Sequence, residues 1–124
     1  MIQPGTFLNV VDNSGARFVE CIKIVGKVGR GVGTIGDFAV VSVKKLRKKG
    51  NIKVNKKEIC LAYITQTKRN IKRGPANIYS FGANTCILLS RKKKIIGSRI
   101  LGILPKELKQ KKYMKILALS SRFK

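Results

Sequence analysis

The groups able to do acid–base chemistry are few in this chain. Asp12, Glu20, Asp37, Glu58 and Glu107 are its five carboxylates, and it contains no histidine. The usual general base is therefore missing. The carboxylates are dispersed, mostly beside turns or strand ends, and nothing in their spacing pairs them. Cys21, Cys60 and Cys86 lie 39 and 26 residues apart among apolar neighbours. They form no Cys-x-x-Cys pair and have no histidine to complete a zinc site. They read as small buried hydrophobes in a reducing compartment. A cysteine nucleophile would also lack its activating partner. Gly29, Gly31 and Gly33 alternate as in a phosphate loop. However, the Gly-x-x-x-x-Gly-Lys-Ser/Thr pattern is absent, and the loop joins two apolar runs rather than opening a helix. Neither an enzyme nor a cofactor or metal site is expected.

The chemistry the chain does carry is cationic. It has 28 Lys and Arg against 5 Asp and Glu, a formal net charge of +23 on 124 residues. Self-repulsion on this scale destabilises a compact state, so a polyanionic partner is the natural explanation. The charges are clustered. Lys44, Lys45, Arg47, Lys48 and Lys49 put five cations in six residues, and Lys53, Lys56 and Lys57 extend that cluster. Lys68, Arg69, Lys72 and Arg73 form a second, and Arg91 to Lys94 a third. Lys27 and Arg30 sit in the glycine-punctuated loop. Lys106, Lys109, Lys111, Lys112 and Lys115 occupy a C-terminal segment. Each cluster falls at a strand end or on one helix face, where several can approach a phosphate backbone together.

The segments that must position these charges are mostly β-strands. Phe7–Val11, Phe18–Val28, Phe38–Val43, Glu58–Thr67, Asn77–Phe81 and Asn84–Ser90 are apolar runs rich in β-branched residues. Along Glu58–Thr67, Ile59, Leu61, Tyr63 and Thr65 share one face, and Cys60, Ala62 and Ile64 the other. Both faces are apolar enough to be covered. Asp12-Asn13-Ser14-Gly15 and Gly36-Asp37 are turn signals. Lys44 to Lys57 reads as a basic loop. Pro105 to about Tyr113 reads as a helix, with proline at its first position and Lys111 and Lys112 in its last turn. Short strands joined by glycine-rich or charged loops predict a mainly β fold, a small barrel with one or two short C-terminal helices. One domain over residues 1–124 suits the length, with the barrel to about 95 and a loop and helix region beyond.

The apolar fraction of 44% is that of a folded protein, not a disordered basic arm. The sequence lacks an apolar run long enough to span a membrane. Met1 to Thr6 has no basic leader, so no targeting segment is expected. The aromatic residues lie mostly inside apolar runs, where core packing is favoured over base stacking. Recognition of structured RNA by backbone and shape is therefore expected, ahead of single strands, duplex DNA or a membrane.

Two blocks are more specific. Asn9-Val10-Val11-Asp12-Asn13-Ser14-Gly15-Ala16-Arg17, followed by Cys21-Ile22-Lys23, strongly resembles the start of the universal large-subunit ribosomal protein L14 family. Gly97-Ser98-Arg99-Ile100-Leu101-Gly102, then Glu107-Leu108 and Met114-Lys115-Ile116, resembles that family's C-terminal block. Gly36-Asp37 and Asn84 to Leu89 fall in order between them. The resemblance implies a five-stranded β-barrel with a C-terminal loop region bearing short helices. It implies a structural constituent of the large subunit that binds large-subunit rRNA, reaches small-subunit rRNA through intersubunit bridges, and touches neighbouring ribosomal proteins. It assigns Asn13, Ser14, Arg17 and Lys23 to an N-terminal contact surface and Ser98 and Arg99 to a C-terminal one. Asn13-Ser14-Gly15 reads equally well as a turn. The helix lysines Lys106, Lys109, Lys111 and Lys112 are expected at protein or intersubunit contacts. Near Pro75-Ala76 and Gly82 the chain has neutral residues where the family usually has acidic ones. Twenty Lys against 8 Arg, with many Ile and Asn, suits an AT-rich coding genome such as an organelle's, so a mitochondrially encoded chain in the mitochondrial matrix is expected, with a plastid or a bacterial cytoplasm as the alternatives.

Overall fold

The computed structural model describes residues 2–26, 32–48, 50, 52–68, 71–72, 78–79, 82–101 and 104. Five strands close into a barrel: β1 (Phe7–Val10), β2 (Ala16–Ile24), β3 (Phe38–Leu46), β4 (Ile59–Gln66) and β7 (Thr85–Leu89), in the order β1-β2-β3-β4-β7. The fold class expected from the sequence is thus present. Neighbouring strands are antiparallel except at the closure, where β1 and β7 run parallel through Asn9↔Thr85 and Val10↔Cys86. Register shifts in the β2–β3 ladder, between Ala16 and Phe18, Phe18 and Val19, and Cys21 and Lys23, supply the local bending that closing so small a sheet requires.

Alternation decides what fills the barrel. Leu8, Val10, Val19, Cys21, Val41, Val43, Cys60, Ala62, Ile64, Cys86 and Leu88 all belong to one buried cluster. Each fully buried Val, Leu or Ile contributes about 1.5–3 kcal/mol. The outer face of β4 and β7 is covered as well. Tyr63, Ile87 and Leu89 pack there with Ile35, Ile100 and Leu104. The covering segment follows β7: Ile95 bridges to Leu89, and Ile100 to Asp12. The burial of β4 on both faces, legible in its sequence, has this segment as its cause.

Two expectations need correction and one is refined. Lys44, Lys45 and Leu46 belong to β3, not to a loop. On the outside of a closed barrel a lysine is solvated, so its charge does not end a strand. The run expected as a strand at 77–81 is a strand in its described part, but one outside the barrel. Its described part, β6 (Ile78–Tyr79), pairs with β5 (Ile71–Lys72) in a separate two-stranded sheet. Phe7 is not in the core: it is 56% exposed and meets Phe18 edge to face at 5.9 Å. The helix expected at 105–113 lies outside the described residues.

Candidate nucleic-acid interface

The β1–β2 turn organises one end of the barrel. Asp12 is buried, and its carboxylate accepts three hydrogen bonds. The Ser14 amide donates to Oδ1 at 3.1 Å, and the Ser14 hydroxyl donates to the same oxygen at 2.6 Å. The Leu88 amide on β7 donates to Oδ2 at 3.1 Å. A buried carboxylate needs such partners, and amide donors to a charged acceptor are the stronger kind. One side chain therefore shapes the turn and pins it to the closing strand.

Asn13 joins this turn to the C-terminal motif. Its Oδ1 accepts from the amides of Ser98 at 2.8 Å and Arg99 at 3.0 Å, and its Nδ2 donates to Ser98 Oγ at 3.0 Å. The Asn13 amide donates to the Arg99 carbonyl at 3.2 Å. Gly97 permits the approach: a Cβ there would stand 2.8 Å from Asn13 Oδ1 and 3.2 Å from Asp12 Cβ. The two motifs singled out in the sequence are thus one unit, although 85 residues separate Asn13 from Ser98.

The same turn holds the β3–β4 loop. The Gly15 carbonyl accepts from the Arg47 amide and the Ser14 carbonyl from the Lys53 amide, each at 2.7 Å. Gly15 has φ +101°, and a Cβ there would lie 2.7 Å from Ile52 Cα. Only glycine meets both demands. Arg47 adds a bond from Nη2 to the Val10 carbonyl at 3.3 Å.

The result is a cationic barrel end. The start of β2, the end of β3, the β3–β4 loop, the turn after β7 and the Arg99 strap all converge there. Arg17, Lys45, Lys48 and Arg99 are exposed, and Arg47 is half-buried. Lys44 is exposed too, but its Nζ lies 3.3 Å from Glu20 Oε2, which shares its charge. Ser98 is exposed with its hydroxyl turned to Asn13. Ser14 is fully enclosed, so its hydroxyl serves the turn. Lys53, Lys56, Lys57, Arg91, Lys92 and Lys94, exposed on the β3–β4 loop and the turn after β7, join this surface, having stood in the sequence only as members of charge clusters, whereas Lys93 turns away towards the start of β3. Lys93 lies 5.0 Å from the centre of the Phe38 ring. Lys23 and Lys68, both exposed, lie towards the other end, at the finish of β2 and β4. Lys72 is in β5. Lys27, Arg30, Lys49, Arg69, Arg73, Lys106, Lys109, Lys111 and Lys112 are outside the described residues.

The cysteines are chemically quiet. All three are free and buried. Burial raises the Cys21 thiol, and burial with the charges of Glu58 and Asp12 pushes Cys60 up to about 12. Burial, Asp12 and the other two cysteines hold Cys86 well above its ordinary value. A thiolate is the reactive form, so these thiols are inert at neutral pH. Among the described residues no group of three or more His, Cys, Asp or Glu gathers to hold a metal ion.

The family model described as ribosomal protein L14p/L23e matches residues 1–124. The chain belongs to that family, and is thereby a protein of the large ribosomal subunit.

Proposed function

We propose that the barrel end around Asp12 binds large-subunit rRNA and holds the chain in place as a non-catalytic structural constituent. The observation that carries this reading is the convergence of Arg17 at the start of β2, Lys45 at the end of β3, and Arg47, Lys48, Lys53 and Arg99 on segments tied to one turn. Cations held by a stiff scaffold meet phosphates with little loss of side-chain and loop freedom on binding. Phosphate contacts of this sort fix position and orientation, the task of a structural protein. Ser98 and the lysines of residues 106–112 extend the reading to neighbouring ribosomal proteins and to small-subunit rRNA across the subunit interface. Residues 1–124 act as one domain. The excess of Lys over Arg, 20 to 8, supports a mitochondrially encoded chain, and finding its gene in nuclear DNA would overturn that point.

The rival is a free-standing RNA-binding module that visits the ribosome. Washing purified large subunits through rising salt separates the two. An integral constituent stays bound until other core proteins leave. A module attached by surface charge alone leaves early, because about 6–10 phosphate contacts lose roughly 10³–10⁵ in affinity between about 50 and 200 mM salt. Early release would contradict the structural role.

A further inference from the structure

At the cationic end lies an open cavity of about 420 Å³, between the start of β4 and the turn after β7. Its composition is not that of the surrounding surface. Ile59, Ile96 and the buried Cys60 give it an apolar lining, and Lys53 and Arg91 stand exposed beside it. Glu58 also lines it, and few carboxylates are left in this chain. Among the described ones, Asp12 shapes the β1–β2 turn, Asp37 accepts from the Thr34 amide at 2.8 Å, and Glu20 pairs with Lys44. Glu58 accepts from the Asn55 amide through Oε2 at 2.9 Å, which fixes the carboxylate at the cavity and leaves Oε1 for a ligand.

A phosphate alone does not explain this site. It would use the two cations, gain nothing from the apolar lining, and be repelled by Glu58. A planar heterocycle bearing an amine and carried on a phosphate chain uses all three features. Its faces suit the apolar lining of Ile59, Cys60 and Ile96, and its phosphates suit Lys53 and Arg91. A carboxylate accepts from an exocyclic amine such as that of cytosine. The volume is in the range of small-ligand clefts, about 300–1,000 Å³.

We propose that this cavity takes one unstacked, amine-bearing nucleobase of RNA. The amine sits on Glu58, and the flanking phosphates on Lys53 and Arg91. This rests on the rRNA-binding reading above and adds a base-specific contact to it.

The test is fluorescence anisotropy of the full chain with labelled RNA octamers of cytidine, of uridine, and of abasic ribose phosphate. Cytidine is expected to bind about tenfold tighter than uridine, whose O4 is an acceptor facing a carboxylate. In Glu58→Gln the amide oxygen keeps the Asn55 bond and the amide nitrogen faces the ligand. The preference then moves towards uridine, while the abasic octamer loses no affinity. Equal wild-type affinities for all three octamers overturn the proposal. So does tight binding of large-subunit rRNA with no binding of any octamer. Both outcomes leave the rRNA reading standing. Failure to bind rRNA as well overturns the reading on which the proposal rests.

Discussion

Asp12→Asn is expected to lower the stability of the barrel by about 2–5 kcal/mol. The carboxylate accepts from Ser14 N, Ser14 Oγ and Leu88 N with both oxygens, in a site 1% exposed. Asparagine has the same shape but one acceptor. Whichever way its amide turns, an N–H₂ group faces a backbone N–H. The variant loses hydrogen bonds to a charge, each about 1.5–3 kcal/mol, and strands a buried donor at about 1–3 kcal/mol. Against a typical domain stability of about 5–15 kcal/mol, that is a large fraction. With a slope of about 1–3 kcal/mol per molar, the urea midpoint should fall by about 1–2 M at unchanged slope. Ser14→Ala removes only the 2.6 Å hydroxyl bond and should cost about 1 kcal/mol. Equal midpoints for Asp12→Asn and the parent chain would show that the carboxylate does not organise this end.

The second large effect is on RNA. Replacing Lys45, Lys48, Lys92 and Arg99 together by glutamine removes four exposed cations without touching the core. Arg47 is left intact because it also bonds the Val10 carbonyl, and Lys44 because Glu20 already shares its charge. If each touches one phosphate, the slope of log K against log salt flattens by about 0.7–0.9 per contact, or about 3 in all. At about 0.1 M salt each lost contact is a factor of about 5–8, so affinity for large-subunit rRNA falls about 10³-fold. Thermal melting should change little, since exposed charges of this kind make small contributions to stability. An unaltered slope would remove this surface from the interface.

How much of this was legible in the sequence depends on range. The barrel strands are local signals. β3 alternates Ala39, Val41 and Val43 inward against Phe38, Val40 and Ser42, and β7 is buried at every position, as a strand covered on both sides must be. Phe7 groups with the aromatics that lie inside apolar runs, for which core packing is expected. In β1 the pattern sends Leu8 and Val10 inward and leaves Phe7 outside. The pairing of β6 with β5 rather than with the barrel was not legible, because periodicity gives a strand's faces and not its partner.

At the candidate site the signals were of both kinds. The density of cations, and the unusual residues at 12–15 and 97–99, were visible. That Asn13 bonds Ser98 and Arg99, and that Ser14 and Gly15 hold Arg47 and Lys53, is tertiary information. Hence Ser14 was read as a contact residue although it is enclosed. Asp12 was legible as the first residue of a turn signal, but the Leu88 amide that ties it to the closing strand was not.

Whether the barrel end around Asp12 faces rRNA can be measured directly, because the native thiols are buried. With Cys21, Cys60 and Cys86 enclosed, a cysteine placed at Lys48 or Lys92 is the reactive thiol among the described residues. An iron chelate attached there, in a chain assembled into large subunits, generates hydroxyl radicals that cut RNA nearby. Strong, localised cuts in large-subunit rRNA are expected from both Lys48→Cys and Lys92→Cys. Assembled particles whose rRNA is left uncut from either position would contradict it.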